Sequence, residues 1–250
     1  MVKAEDEGNN VRSVGAKKRS SSRASRSSPP RHGARATRTA GQKMRSRLLD
    51  AASALFKAHG LNGTSITAIA SAADAFPSQV TYYFRTKEAL FVEAACRDML
   101  HIAERAEKAG GRAHTPKAYT EAVVSTIMGA DGLVLFLEAL ILTRQRPDLM
   151  PEIARTIDRL HVEGARAHDS QMTRHGWLAP HPSDVLARRF WTIVLGVSLE
   201  GYAVGRSRAA MAEAMREALG ELAEIRSAKD ASAPPLHLVS TSGHPSVKST

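Results

Sequence analysis

The sequence predicts an all-α protein in which an N-terminal three-helix unit precedes a larger helical domain. Three observations lead to this prediction. Aromatic residues, which favour strands, make up 5% of the 250 residues, and Ala, the best helix former, is abundant. Apolar residues recur at spacings of three and four along most of the chain. No run alternates between apolar and polar residues as a half-buried strand does.

The excess positive charge lies in the first third of the chain. Residues 1–38 carry ten Lys and Arg against three acids, residues 39–87 carry six against two, and residues 88–250 carry nineteen against twenty. A basic N-terminal third followed by a nearly neutral remainder indicates that the N-terminal part of the chain contacts a polyanion. Because residues 1–38 and 227–250 have little apolar periodicity, we expect two disordered tails. The basic tail either adds phosphate contacts or is simply solvated.

Composition excludes several classes of protein. The single cysteine, Cys96, rules out an intrachain disulfide and a multi-cysteine zinc site, so we expect a buried thiol in a reducing cytosol rather than a redox sensor. No stretch reaches the ~18 apolar residues of a membrane span, and the N-terminus lacks the apolar core of a secretory signal. We therefore expect a cytoplasmic protein with no membrane contact. Without a phosphate loop, serine elbow or zinc spacing, we expect no enzyme activity, cofactor or metal.

The first helix is predicted over Gly41–His59, where apolar residues form a stripe at three- and four-residue spacing. Gly60 suits the end of that helix. Thr64 or Ser65 then caps a short second helix. After a three-residue break, a proline in the first turn begins a two-turn helix, Pro77–Phe84.

Two short helices joined by a tight break form the helix-turn-helix pattern, whose second helix presents side chains to the DNA major groove. On the third helix, Tyr83 and Phe84 are expected to pack inward. Glutamine can read adenine edges, and threonine offers a hydroxyl and a methyl group. The polar side chains expected on its outer surface are Ser78, Gln79, Thr81 and Tyr82.

A long helix, about Lys87–Lys108, is predicted to link this unit to the rest of the chain, with Thr86 as its cap. We place the DNA-binding domain at residues 39–91, with the linking helix continuing to about residue 108, and a second helical domain at residues 112–226. Glycine and proline residues mark the junctions between its helices. Those helices are expected near Pro116–Met128, Gly132–Gln145, Leu149–His175, Ser183–Gly205 and Arg208–Arg226.

The segment Arg45–Phe91, about a fifth of the chain, resembles the DNA-binding domain of the TetR/AcrR family of bacterial regulators. Several separated pieces match in the correct spacing. The resemblance implies a sequence-specific transcriptional regulator, usually a ligand-responsive repressor, that binds a double-stranded DNA operator as a homodimer and responds to a small-molecule effector. The matching pieces are Leu49–Ala52, Leu55-Phe56, Gly60, Thr64-Ser65, Ile69-Ala70, Tyr83-Phe84 and Lys87–Leu90.

The resemblance also implies contacts for individual residues. Phosphate contacts fall to Thr64 or Ser65, to Lys87 and to Arg85, whereas base contacts fall to Gln79, Thr81 and Tyr82. Three positions depart from the family pattern. Asp74 replaces the usual turn glycine, Phe76 replaces a capping serine, and Thr81 stands where a phosphate-binding tyrosine is common.

For the C-terminal domain, the resemblance implies that the last two long helices pair with their copies in a four-helix bundle and that the core holds an effector pocket. His161 and His168, with Glu163 and Asp169 nearby, leave open a metal or polar-ligand site. The alternative to a sequence-specific regulator is an architectural protein that binds DNA without sequence preference. That alternative leaves the large neutral core unexplained. Candidate pocket residues, each of which could instead be core, are Met128, Leu133, Phe136, Leu140, Met150 and Trp177.

Overall fold

The computed structural model describes residues 31–222 and 226–227, and side chains from residue 39 to residue 220. Nine helices and two very short strands lie within these residues. The helices are α1 (Arg31–Gly63), α2 (Ile66–Ala72), α3 (Pro77–Phe84), α4 (Lys87–Gly110), α5 (Pro116–Met128), α6 (Gly132–Leu142), α7 (Met150–His175), α8 (Ser183–Ala203) and α9 (Arg208–Leu222). A single 3-10 turn, Pro147–Leu149, precedes α7.

The main differences from the predicted elements lie near the two ends. Helix α1 begins at Arg31, ten residues before the expected start, so residues 31–38 are helical rather than disordered. Ala and Arg favour a helix there, and the prolines before Arg31 suit a helix start. At the other end, Ser227 lies in a strand and not in a tail. The predicted tails otherwise lie outside the described residues.

Local chemistry explains the first helix boundaries. Gly60 adopts a φ of 67°, which confirms the predicted end of the long helical stretch of α1 at His59. Ser65 caps α2 by accepting a hydrogen bond from the backbone N–H of Ala68 at 3.0 Å, and Thr86 caps α4 in the same way. Helix α3 has the predicted bounds.

The N-terminal helices pack around large buried side chains. The rings of Phe56 on α1 and Phe91 on α4 meet edge to face with centroids 5.0 Å apart, a favourable geometry for an aromatic pair. Helix α1 is therefore held directly against the linking helix α4. Other members of this cluster are Leu48, Ile69, Val80, Phe84 and Leu90.

A polar cluster also ties α1 to α4. The carboxylate of Asp98, which is largely buried, accepts a hydrogen bond from the Ser53 hydroxyl at 2.6 Å and lies 2.6 Å from the ammonium group of Lys57. A Cβ added to Gly132 at the start of α6 would lie 3.2 Å from the Asp98 Cβ and 3.6 Å from the same carboxylate oxygen, Oδ2. Helices α1, α4 and α6 thus meet at one buried carboxylate.

Two-residue strands, β1 (Trp177–Leu178) and β2 (Arg226–Ser227), pair in an antiparallel arrangement. Such short strands leave no alternating pattern in the sequence, which is why none was predicted. Within the described residues, no single helix is long and apolar enough to cross a bilayer. Helices α5 and α6 reach that length and composition only together, across a 65° bend.

Candidate DNA-binding surface and core cavity

The turn between α2 and α3 relies on an unusual residue. Asp74 has a φ of 48°, a left-handed conformation for which glycine is the usual choice. Aspartate is one of the few other residues that visit this region readily. The departure from the family pattern at this position therefore does not change the turn, and α3 starts where the sequence predicts.

The outer face of α3 carries the expected polar side chains. Ser78 and Thr81 are exposed, and the ring of Tyr82 is 80% exposed. Phe84 is buried and Tyr83 is half-buried, which confirms that these two residues pack inward. Helix α3 therefore presents hydroxyl groups and one phenol ring on its free side.

Gln79 has a structural task in addition to any contact with DNA. Its side-chain Oε1 accepts a hydrogen bond from the backbone N–H of Phe76 at 2.9 Å. Phe76 occupies the N-cap position of α3 and its ring has no atom that could cap the helix, so Gln79 provides half of a capping box. The amide nitrogen of Gln79 takes no part in this bond.

Of the two candidates for the first phosphate contact, the structure favours Ser65. Thr64 is buried, and its hydroxyl donates to the carbonyl oxygen of Gly60 at 2.9 Å, so it is turned away from the surface that Ser65 occupies. Thr64 thus holds the α1–α2 connection together. The ammonium group of Lys87 donates to the Thr64 carbonyl at 3.0 Å, which leaves two of its three hydrogens for a phosphate.

Arg85 follows α3 in a strained conformation. Its φ of 65° and ψ of −53°, together with the hydrogen bond from the Thr86 N–H to the Phe84 carbonyl at 2.7 Å, define a classic γ-turn, which is rare. The side chain is exposed. Glycine would fit this backbone without strain, whereas arginine adopts it at an energetic cost.

A cavity of about 390 Å³ opens between α4, α5, α7, α8 and α9. Its size is within the usual range for small-molecule sites. The indole N–H of Trp191 donates to the Leu160 carbonyl at 3.0 Å and fixes one wall. The larger apolar lining residues are Val123, Ile127, Leu160, Leu186, Phe190, Trp191 and Leu219.

Polar and charged side chains also line the cavity, and two of them, Tyr119 and His168, are favoured in the neutral form by burial. Burial raises the pKa of the Tyr119 phenol to about 12, and burial lowers the pKa of the His168 imidazole. The His168 Nδ1 lies 3.0 Å from the Ser183 hydroxyl, which donates to the Asp169 carboxylate at 3.5 Å.

None of the six pocket residues expected from the sequence lines the cavity. Met128, Leu133 and Phe136 are packed into the core, while Met150 is 55% exposed at the start of α7. Leu140 packs against the core, and Trp177 stacks on the His175 ring. Apolar periodicity identifies buried residues but does not distinguish a packed core from the wall of a void.

Other candidate sites can be tested on the structure. Among the residues described, no group of three or more His, Cys, Asp or Glu side chains is arranged to hold a metal ion, and His168 instead lines the cavity. Burial raises the pKa of the Cys96 thiol to about 11, so the reactive thiolate is disfavoured at neutral pH.

Sequence reasoning missed two features of this surface and this cavity. Phe76 was noted only as a departure from a serine cap, yet its ring is 74% exposed. Tyr119 and Phe190 were not recognised as pocket residues, because nothing in the spacing of α5 or α8 separates them from ordinary core. For Phe76, the one signal in the sequence was that a phenylalanine occupies a helix-cap position where the family usually has serine.

Comparison with known proteins agrees with this geometry. The family description "Bacterial regulatory proteins, tetR family" matches residues 48–94, and "Bacterial transcriptional repressor C-terminal" matches residues 116–220. The first segment contains the helix-turn-helix, and the second contains the cavity walls from α5, α7, α8 and α9. No curated protein sequence matches the chain significantly.

Solved structures show the same fold. A protein described as a transcriptional regulator from Rhodococcus sp. RHA1 is 37% identical, with a TM-score of 0.64 over 72% of this chain and 95% of that chain. A TetR-family regulator from Mesorhizobium loti MAFF303099 is 18% identical, with a TM-score of 0.57 over 72% and 97%. A regulator from Saccharomonospora viridis, solved in complex with choline, is 17% identical, with a TM-score of 0.57 over 74% and 99%.

Proposed function

This chain belongs to the TetR family of bacterial transcriptional regulators, and we propose that it acts in the cytoplasm as a homodimeric, ligand-responsive repressor. Membership of the family makes it a DNA-binding regulator rather than an enzyme. The observation that carries the proposal is the free outer face of α3, which stands on a rigid three-helix unit joined by α4 to a domain with a cavity.

Each protomer inserts α3 into a major groove of the operator. The two helices of the dimer then enter successive grooves about 34 Å apart, so the operator is a two-fold site. Ser78, Thr81, Tyr82 and the amide nitrogen of Gln79 contact base edges. The phosphate contacts come from Ser65, Arg85 and Lys87, which fix the position of α3 without selecting sequence.

Helices α8 and α9 form the dimer interface. Leu199 and Val204, at the C-terminal end of α8, are 50% and 64% exposed in the single chain, more than expected for a helix that is apolar nearly all round. Gly196 on α8 has open space where a Cβ would be, which permits close approach of another helix. Pairing with the same helices of a second copy covers this surface in a closed two-fold dimer.

The effector is a small molecule that occupies the cavity. The Saccharomonospora viridis neighbour supports a small-molecule site in this fold, although its low identity says nothing about which molecule binds here. The apolar walls select an apolar body, while the Tyr119 phenol, the His168 imidazole and the charged side chains of the lining contact its polar groups.

Helix α4 couples the cavity to the DNA-binding unit. It lines the cavity at Ala103 and begins at Lys87, about 24 Å away at 1.5 Å per residue. The Asp98 cluster ties α4 to α1, and the Arg146 guanidinium, which follows α6, lies 3.4 Å from the Glu88 carboxylate in the first turn of α4. A ligand that shifts α4 therefore moves α1, and with it the DNA-binding unit.

Selection from random DNA duplexes, followed by affinity measurements at several salt concentrations, tests this assignment. Replacing Lys87 with Ala should weaken binding to every duplex and reduce the salt slope by about one per protomer. Replacing Thr81 with Val, which removes a hydroxyl at constant shape, should change base preference and leave the salt slope intact. If the two variants behave alike on all sequences, the division between phosphate and base contacts is wrong.

Effector response is tested separately. By linkage, a molecule that lowers operator affinity must itself bind more weakly to the DNA-bound protein, by the same factor. A thermal-shift screen of small molecules identifies candidates, and titration in the presence and absence of operator measures both factors. Candidates that stabilise the protein but leave DNA affinity unchanged would contradict the ligand-responsive mechanism.

A further inference from the structure

We propose that Phe76 is a sequence-specificity residue that contacts the methyl group of a thymine in the major groove. This inference rests on the proposed function, since it requires α3 to enter that groove. It deepens the proposal by assigning an apolar base contact to a residue outside the polar face of α3.

The distribution of exposed apolar side chains supports this assignment. Among the described residues, the two most exposed large hydrophobic side chains are Tyr82 at 80% and Phe76 at 74%. Both belong to the eight-residue helix α3 or its N-cap. Single exposed apolar residues are ordinary on a protein surface, but the two largest exposures coincide here on the element expected to enter DNA.

The backbone holds Phe76 in place at the entrance of α3. Phe76 has extended φ and ψ values of −88° and 147°, and its N–H is bound by Gln79 Oε1 at 2.9 Å. The next residue is Pro77, whose ring restricts the conformation of Phe76 to the extended region. The backbone of Phe76 is thus held in place before DNA binds, and its ring contacts no other aromatic ring among the described residues.

The chemistry of the groove selects the contact. The N-terminal residues of a recognition helix are those that reach base edges. A phenylalanine ring offers no hydrogen bond, and the C5-methyl of thymine is the apolar feature that a base pair presents in the major groove. Phe76 therefore favours a T·A base pair at the point where the N-terminus of α3 enters the major groove.

Gln79 is a positioning residue in this scheme. Its Oε1 is engaged with the Phe76 N–H, so the donor-and-acceptor pair that glutamine uses on adenine is no longer free. A Gln79→Glu variant keeps the acceptor that binds the Phe76 N–H and removes the amide donors. It should lower affinity by charge repulsion while keeping the preference that Phe76 confers.

The test replaces thymine with deoxyuridine, which removes only the methyl group. The preferred operator is first selected with the wild-type protein, and each thymine is then replaced in turn while affinity is measured by fluorescence anisotropy. We expect that replacing one particular thymine of a half-site with deoxyuridine weakens wild-type binding about fourfold. This is the effect of one buried methyl-sized group. Replacing both symmetry-related thymines should weaken binding about fifteenfold.

The variant Phe76→Ser should bind the thymine operator more weakly and show no loss on deoxyuridine substitution. Because serine is a good N-cap, this variant should melt at least as high as the wild type, so misfolding does not explain its weaker binding. Val162→Ser on α7 is the matched control. It removes a side chain that is 68% exposed and should leave both affinity and deoxyuridine sensitivity unchanged.

Two outcomes overturn the inference while leaving DNA binding intact. Either no thymine of the selected operator is sensitive to deoxyuridine, or Phe76→Ser keeps the wild-type sensitivity. A wild-type protein that selects no sequence at all would instead contradict the proposed function, and the inference with it.

Discussion

Replacing Arg85 with Gly should make the protein more stable and a weaker DNA binder. The arginine holds a φ of 65° in a classic γ-turn, and a left-handed conformation costs an L-residue about 1–2 kcal/mol. Glycine removes that cost but adds about 0.5–1 kcal/mol of backbone freedom in the unfolded chain. The net gain is on the order of 0.5–1 kcal/mol, which corresponds to roughly 1–4 °C in melting temperature for a protein of this size.

Operator affinity should move in the opposite direction. Loss of one phosphate contact per protomer reduces the salt slope of a dimer by about two. Arg85→Lys keeps both the charge and the strained backbone, so its stability and salt slope should stay close to wild type, whereas Arg85→Ala should lose affinity without gaining stability. Differential scanning calorimetry and anisotropy titrations measure the two effects. A glycine variant that melts lower, or one that binds with unchanged salt dependence, would refute this account of the turn.

Three further predictions concern the C-terminal domain. Leu199→Glu should convert dimers to monomers in analytical ultracentrifugation and lower operator affinity, whereas Val162→Glu should do neither. Gly164→Leu places a side chain in the cavity, where a Cβ would already lie 3.4 Å from Trp191 Nε1, so DNA binding should persist while effector-induced thermal shifts disappear. Burial lowers the pKa of His168, so the unfolded state takes up its proton first. Stability is lost as pH falls below about 6.5, and His168→Gln should reduce that loss.

Helices whose ends carry clear start or stop signals could be predicted closely from the sequence. Helix α3 is bounded by Pro77 and by the strained turn at Arg85, and α5 by a proline and a glycine, so their ends follow from local chemistry. The start of α1 could not be predicted, since its first turns carry no apolar stripe and are helical through propensity alone. The pairing of β1 with β2 joins residues about fifty positions apart and leaves no local signal.

The two candidate sites differ in how far the sequence could predict them. The outer residues of α3 follow from helical periodicity and the resemblance, but the inward turn of Thr64 does not, because a threonine and a serine side by side are equal candidates for one cap. The cavity could not be predicted, because its walls combine residues from five helices. Whether Met128 or Val123 borders empty space depends on how those helices cross.

Chemical protection of guanine N7 on a selected operator is the most direct test of how α3 binds DNA, since N7 faces the major groove. A dimer with one α3 helix in each of two successive grooves should protect two patches centred about 10–10.5 base pairs apart, and Thr81→Val should alter protection within both patches alike. Guanine N7 atoms that stay unprotected throughout the operator, or two patches with no such spacing, would contradict the claim that α3 reads the operator.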